Sequence, residues 1–468
     1  YYLNKKIVKT MNIRLMRNGF FLMLFSMIFL AACKDEVDPI DPIQPEENLA
    51  ANYNNNVVTE WIQLYMDIEK DLPGFRPAAT SRALAYIWMS AYEAALPGMP
   101  DFVSNDTKLS GLTVPDLPKD KLKYDWNIAV NAALARSMEH MMAVANTDQR
   151  GLINDLESSF NNTLKTKVSQ EVFNNSQEWG RLVADAVMKY ADTDVEGVNQ
   201  SADVFPASYV PPTGVGKWQP ADGKSLFPYW GKVRTFATFG NELLSPPPPA
   251  YSTNPASQYY KDFAEVNENI VNLTHERRWR AEFWSDDIVG LTFSPPARAF
   301  QIARQMVENE NASLEFCVHL FLKLGIAEND GAVAAWGSKY HYNVERPFNY
   351  IPANINPDFR TILGNAVGTD NLTPPFPGYP SGHSTFGGLG ISVLSEFFGE
   401  NYTFTDRCHY GRSEFNGTPR TYTTMTQIGE ENAYSRIPLG VHPRFDCSEG
   451  LRLGKQIGKN AVAYNLKK

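Results

Sequence analysis

Val58-Thr59-Glu60-Trp61-Ile62-Gln63-Leu64-Tyr65-Met66-Asp67-Ile68-Glu69-Lys70-Asp71-Leu72, residues 58–72, is the stretch on which the fold class turns. Its apolar residues Val58, Trp61, Ile62, Tyr65, Ile68 and Leu72 recur at the period of one helix face, not at the alternation of a strand. The same period returns over Thr80 to Leu96, Tyr124 to Ala145, Gln149 to Leu164 and Gln170 to Tyr190. Further on it predicts helix from about Ser257 through Phe283, then over Pro296 to Asn309, Ala312 to Leu324, Asp330 to Tyr342, Gly382 to Phe398, and Pro443 to about Val462. Strand-like alternation is scarce and no repeat of fixed period is present. These features predict an all-α protein of packed helical bundles, one domain over residues 54–468. Two stretches interrupt the pattern: Thr193 to Tyr251, rich in Pro, Gly and aromatic residues, and the coil Pro352 to Pro380. Loops of such length in a compact domain usually serve as lids or channel walls.

The chain has 468 residues, of which 43% are hydrophobic, ample for a packed core. A formal charge of -9 without basic stripes argues against a nucleic-acid partner. Lys5, Lys6, Lys9, Arg14 and Arg17 precede an apolar run from Phe20 to Leu30, too short for a comfortable membrane span, that leads into Leu30-Ala31-Ala32-Cys33. The pattern is similar to a bacterial lipoprotein signal. That resemblance implies a signal peptide over residues 1–33, lipidation of Cys33, and a lipid-anchored protein of the bacterial cell envelope, held at the membrane through that lipid only. Residues 34–53 are acidic and proline-rich, the composition of a flexible tether. Of the other cysteines, Cys317, Cys408 and Cys447, no pair has zinc-ligand spacing. Cys408 and Cys447 could close one bridge, or all three could remain buried thiols.

Three blocks in the C-terminal third concentrate the chemistry. Lys339 and Arg346 are seven residues apart, which predicts two helical turns and one shared face, with Pro347 bending or ending the helix. Two cations so placed can grip one anion, arginine as a bidentate fork and lysine as a point charge. In Pro380-Ser381-Gly382-His383, Ser381 sits where an N-cap belongs and Gly382 leaves its amide open to a close ligand. A helix start binds anions through its free N–H groups and dipole, and His383 beside it can exchange protons with the anion's oxygens. In the third block, Ser435-Arg436 adds a cation, and Pro443 at a helix start places Asp446 within one turn of His442. That carboxylate can orient the imidazole for metal ligation or for nucleophilic attack. A solvated basic face, a capped helix start or an ordinary turn explains each block alone; all three in order point to a tetrahedral oxyanion. His140, His275, His319, His341 and His409 lack partners at metal or triad spacing and read as structural, although His341 is close enough to Lys339 to line the site.

The order Lys-x6-Arg-Pro, Pro-Ser-Gly-His and Ser-Arg-x5-His-x3-Asp resembles the signature shared by type 2 phosphatidic acid phosphatases, bacterial acid phosphatases and vanadium-dependent haloperoxidases. The resemblance implies that Lys339, Arg346, Ser381, the Gly382 amide and Arg436 hold vanadate or phosphate oxygens. It implies that His442 bonds the vanadium, or attacks phosphorus in a phosphatase, and that His383 is the acid and base at the opposite apical oxygen. Pro374-Pro375-Phe376-Pro377-Gly378-Tyr379-Pro380 and Trp336 resemble the haloperoxidase branch, with Trp336 and Phe376 as an apolar halide pocket. Glu282-Phe283-Trp284-Ser285-Asp286-Asp287 with Pro295-Pro296 resembles a haloperoxidase segment whose aspartate pairs with an active-site arginine, a role that spacing gives to Asp287 over Asp286. Glu345 departs from the aromatic residue common at its position, and a carboxylate there could blunt the anion field.

The resemblance thus implies a vanadate-dependent haloperoxidase that oxidises iodide or bromide, more than chloride, with hydrogen peroxide, Lys339 polarising the peroxide. A small organic acceptor and homo-oligomerisation are compatible with it, and phosphate can occupy the same site. The alternative is an acid phosphatase, a phosphomonoesterase working through a phosphohistidine at His442. A binding protein for phosphate-like anions is a third reading, disfavoured by the intact His383 and His442.

Overall fold

The computed structural model describes residues 47–468. Their order is α1 (Asn56–Glu69), α2 (Ala78–Ala95), α3 (Trp126–Met141), α4 (Thr147–Leu164), α5 (Gln170–Asp192), α6 (Val195–Ala202), α7 (Gln258–Val271), α8 (His275–Phe283), α9 (Pro295–Asn309), α10 (Leu314–Tyr342), α11 (Pro347–Asn354), α12 (Gly382–Phe398), β1 (Phe404–Asp406), β2 (Arg420–Tyr422), α13 (Met425–Tyr434), α14 (Arg436–Leu439) and α15 (Arg444–Ala463). The fold is all-α, with β1 and β2 forming one short antiparallel pair in which Phe404 faces Tyr422. The expected lipoprotein signal, with Cys33, and most of the expected tether over residues 34–53 lie outside the described residues. Among the described residues, no helix is long and apolar enough to cross a membrane.

α10 is buried along most of its 29 residues, as a helix must be when apolar groups occupy all its sides. α2, α12 and α15 pack on it, while α2, α3 and α5 pack on one another. The periodicity anticipated two helices over 312–342, but the helix is continuous. Its middle contains Gly325, where an added Cβ would stand 2.8 Å from Ala85 Cα, so the glycine serves close packing against α2 and not a break. Conversely, the single run expected over 257–283 divides at Asn272-Leu273-Thr274, because Thr274 Oγ1 accepts from Arg277 N at 3.2 Å and starts α8. α6, α11, α13, α14 and the β pair fall within stretches that were not anticipated as regular structure. They are short and take their stability from caps and packing, as where Thr424 Oγ1 accepts from Gln427 N to start α13.

The closest helix pair positions the site. An added Cβ at Gly454 would lie 2.0 Å from Thr385 O, and one at Gly450 would lie 2.4 Å from Ser381 O, so α15 seats directly on the backbone of α12. The first turns of these two helices consequently meet, with Ser381 N donating to Asp446 O at 3.0 Å. The long segment after α6 is pinned to α10, where the Asp330 carboxylate accepts from the amides of Phe236, Ala237 and Thr238, each at 2.8 Å. Cys317, Cys408 and Cys447 are free thiols, so the conceivable Cys408–Cys447 bridge is not made.

Candidate active site

The first block does not lie on one helix face. α10 ends because Asn343 adopts the left-handed conformation at φ 51°, which asparagine tolerates better than most residues. Val344 and Glu345 follow, and Arg346 is the extended N-cap of α11, with Pro347 at its first position. Pro347 therefore opens a second helix instead of bending the first. The two cations still converge, since Lys339 Nζ donates to Pro377 O at 3.1 Å and Arg346 Nη2 to the same oxygen at 3.4 Å. Lys339 also donates to Gly378 O at 2.9 Å and Pro380 O at 2.6 Å, and Arg346 Nε donates to Phe376 O at 2.7 Å. Both cations thereby fold the 376–380 segment around themselves. Burial, then the neighbouring Arg346, holds the Lys339 ammonium well below its usual range, and burial brings Arg346 down to about 10.

Ser381 caps α12, accepting from Ser384 N at 3.3 Å. The amides of Gly382 and His383, at the helix start, are bonded to no protein acceptor. The His383 ring is buried, and its Nε2 has no hydrogen-bond partner. Burial, reinforced by Arg436, holds its pKa down to about 3, so the ring is neutral at ordinary pH.

Arg436 opens α14 with no exposed surface, donating through Nη2 to Asp287 Oδ2 at 2.5 Å and through Nη1 to Trp284 O at 3.3 Å; its Nε is unpartnered. Asp287 also lies 3.7 Å from His383 Nε2. Burial alone would raise the Asp287 carboxyl, but Arg436 and His383 hold it below its usual value. Asp286 points elsewhere, toward Arg298. His442 Nδ1 stands 2.7 Å from Asp446 Oδ2, and its Nε2 stands 3.3 Å from Arg346 Nη1. Because a guanidinium can only donate, Nε2 is the acceptor nitrogen and Nδ1 carries the proton. Burial and the three cations keep this imidazole neutral.

Trp336 and Phe376 pack with ring centroids 5.0 Å apart, and the Phe376 centroid is 5.2 Å from Lys339 Nζ. They form one apolar wall beside the cations. A cavity of about 270 Å³ reaches Phe376 and Asp287, and is lined also by Pro374, Pro375, Leu226 and Leu372. Glu345 accepts from Tyr259 Oη at 3.3 Å, and burial pushes it up to about 7, which weakens it as a competing anion. His341 is exposed and does not line the site, being two residues past Lys339 on the far side of α10.

Lys339, Arg346, Ser381, Gly382, His383, Arg436, His442 and Asp446 are thus gathered from five helix ends, with Trp336, Phe376 and Asp287 around them. Three buried cations face two carboxylates, while two helix-start amides, Arg436 Nε and His383 Nε2 lack protein partners. This excess of positive charge and unused donors fits a tetrahedral oxyanion. The carbonyls that bind Lys339 and the split of Asp286 from Asp287 leave no trace in residue type.

Residues 319–467 match the family model of the VCPO second helical-bundle domain. Vanadium chloroperoxidase of Curvularia inaequalis is 26% identical over 279 residues, 47% of this chain and 46% of the relative. A vanadium-dependent bromoperoxidase of Ascophyllum nodosum is 29% identical over 113 residues, 22% of this chain and 20% of the relative. The chain therefore spans less than half the length of these curated relatives. Among solved structures, the one described as the first bacterial vanadium-dependent iodoperoxidase superposes with a TM-score of 0.76 at 26% identity, covering 89% of this chain and 98% of that one. A holo-type bacterial vanadium-dependent chloroperoxidase shares the fold, with a TM-score of 0.67 at 15% identity over 88% of this chain and 97% of that one.

Proposed function

We propose that this chain, which belongs to the vanadium haloperoxidase family, oxidises iodide or bromide with hydrogen peroxide and passes the oxidised halogen to a small organic acceptor. The observation that carries this reading is the neutral His442, whose Nε2 lone pair is turned toward Arg346 among three buried cations. Vanadate, the cofactor of the family, supplies when bound a Lewis-acidic centre that activates peroxide. Lys339, Arg346, Ser381, the Gly382 amide and Arg436 would hold its oxygens, and His442 Nε2 would be the ligand to the metal. Asp446 orients His442 through the Nδ1 proton. His383, neutral and unpartnered at Nε2, would take and return a proton at an oxygen of the bound group. Lys339 would polarise the peroxide, and Trp336 and Phe376 would hold the halide away from water. Iodide and bromide are the more easily oxidised halides, and the likeness to an iodoperoxidase supports them. The protein acts at the cell envelope, tethered through Cys33, a placement that rests on the sequence pattern alone.

The same His442 geometry suits attack on phosphorus, which keeps a phosphomonoesterase as the second reading. One pair of assays separates them. Protein reconstituted with orthovanadate oxidises iodide or bromide with peroxide and hydrolyses p-nitrophenyl phosphate weakly. Robust hydrolysis that vanadate inhibits, without halide oxidation, overturns the haloperoxidase reading.

A further inference from the structure

The segment Trp284 to Ile288 carries Asp287 and is gripped from three sides. Arg436 holds Trp284 O, as above. Arg76 Nη2 donates to Asp286 O at 2.8 Å and Nη1 to Ile288 O at 3.2 Å. Arg298 Nη1 donates to Asp286 Oδ1 at 3.2 Å. The carboxylates of Asp286 and Asp287 therefore diverge, one toward Arg298 and one into the active site.

Arg298 lies on α9 and is 2% exposed. It donates to Asp406 Oδ2 on β1 at 2.9 Å, to His409 Nε2 at 2.6 Å and to Phe283 O at 3.2 Å, and its guanidinium lies 4.2 Å from the Trp284 ring centroid. Four elements thus meet on one buried cation, although Arg298 Nε and Asp286 Oδ2 lack partners. As a stability device this is a poor arrangement, because desolvating such a cluster costs about as much as its attraction returns, and apolar packing of equal volume often does better. What it does specify is the path of the chain one residue before Asp287.

We propose that Arg298 is a positioning residue that acts through Asp286 and Asp287 to aim Arg436 and His383 at the oxyanion. Asp286 is its handle on the loop, and Asp406 with His409 keeps the guanidinium from swinging away. The inference rests on the reading of the site as an oxyanion site.

The test is a double-mutant cycle read as binding of inorganic orthovanadate, and separately of inorganic phosphate, to the vanadium-free full chain by calorimetry. Arg298→Lys keeps the charge and loses the fork, and is expected to weaken binding on the order of 10–100-fold, as outer hydrogen-bond partners of such sites do. In an Asp287→Asn background the same change should have no further effect, because coupled residues are non-additive. Arg82→Lys is the control for burial alone: Arg82 is 6% exposed and pairs with Asp194 at 3.2 Å, so its replacement should lower Tm and leave binding unchanged. Unchanged affinity in Arg298→Lys, or a full additive loss on top of Asp287→Asn, overturns the inference. If Arg298→Lys does not fold, Asp286→Asn carries the same cycle with the same outcomes. Failure of the oxyanion reading itself is distinguishable, since then the unaltered chain binds neither anion.

Discussion

His442 Nδ1 and Asp446 Oδ2 are 2.7 Å apart, which fixes the imidazole proton on the carboxylate side and leaves Nε2 as an acceptor facing Arg346. If Nε2 is the ligand to vanadium, His442→Ala abolishes vanadate binding. Asp446→Ala keeps the nitrogen but loses its orientation and should weaken binding about 10–100-fold. Calorimetric titration measures both, and retention of vanadate by His442→Ala removes that residue from the ligand role.

Burial and Arg436 hold His383 down to about 3 in the folded chain, against an ordinary value of 6.5. The unfolded chain therefore takes up a proton below about pH 6.5 that the folded chain refuses until far lower pH. The stability associated with this group is present above that value and is lost as pH falls toward 3. Thermal melts of the vanadium-free protein should show Tm dropping between pH 7 and 4, with a smaller drop in His383→Gln. Equal slopes would mean that His383 is not held neutral by its surroundings.

Phe376 covers the cations from the apolar side, with its ring centroid 5.0 Å from the Arg346 guanidinium and 5.2 Å from Lys339 Nζ. Phe376→Leu thins that cover without touching an anion-binding donor. Vanadate affinity should stay within about threefold, less than the loss of a hydrogen bond to a charged group would produce, while the ratio of kcat/KM for iodide over bromide changes. A constant ratio excludes Phe376 from halide selection.

Gly454 is where α15 meets the α12 backbone, an added Cβ lying 2.0 Å from Thr385 O. Gly454→Ala has to push the helices apart and should cost about 1–3 kcal/mol or more as overpacking. Because Ser381 N is bonded to Asp446 O across the same contact, vanadate affinity should fall with Tm. A melt and a titration on one sample check both.

The blocks were legible because their groups are named by residue type: Ser381 as a cap, His442 four residues before Asp446, Arg436 after Ser435. The placement of Lys339 and Arg346 was not, since a shared face requires an unbroken helix and Asn343 turns left-handed between them. The two convergences look alike in sequence and differ in cause, one being helical spacing and the other a chain reversal held by carbonyls at Pro377, Gly378 and Pro380. Similarly, spacing singles out Asp287 for the arginine, but nothing in the sequence says that Asp286 turns away to Arg298. Arg298, on the following helix, carries a signal that becomes visible only when β1 brings Asp406 and His409 against it.

The all-α class and the inventory of cations, imidazoles and small residues were determined by the sequence alone, because periodicity and side-chain chemistry are local properties. The tertiary structure decided which groups face one another: Asp286 turned away to Arg298, two cations from separate elements on one carbonyl, and an unpartnered His383 Nε2 beside them. Those outcomes depend on where distant segments are held, and a single left-handed residue or a glycine contact between helices redirects them without altering the pattern on either side.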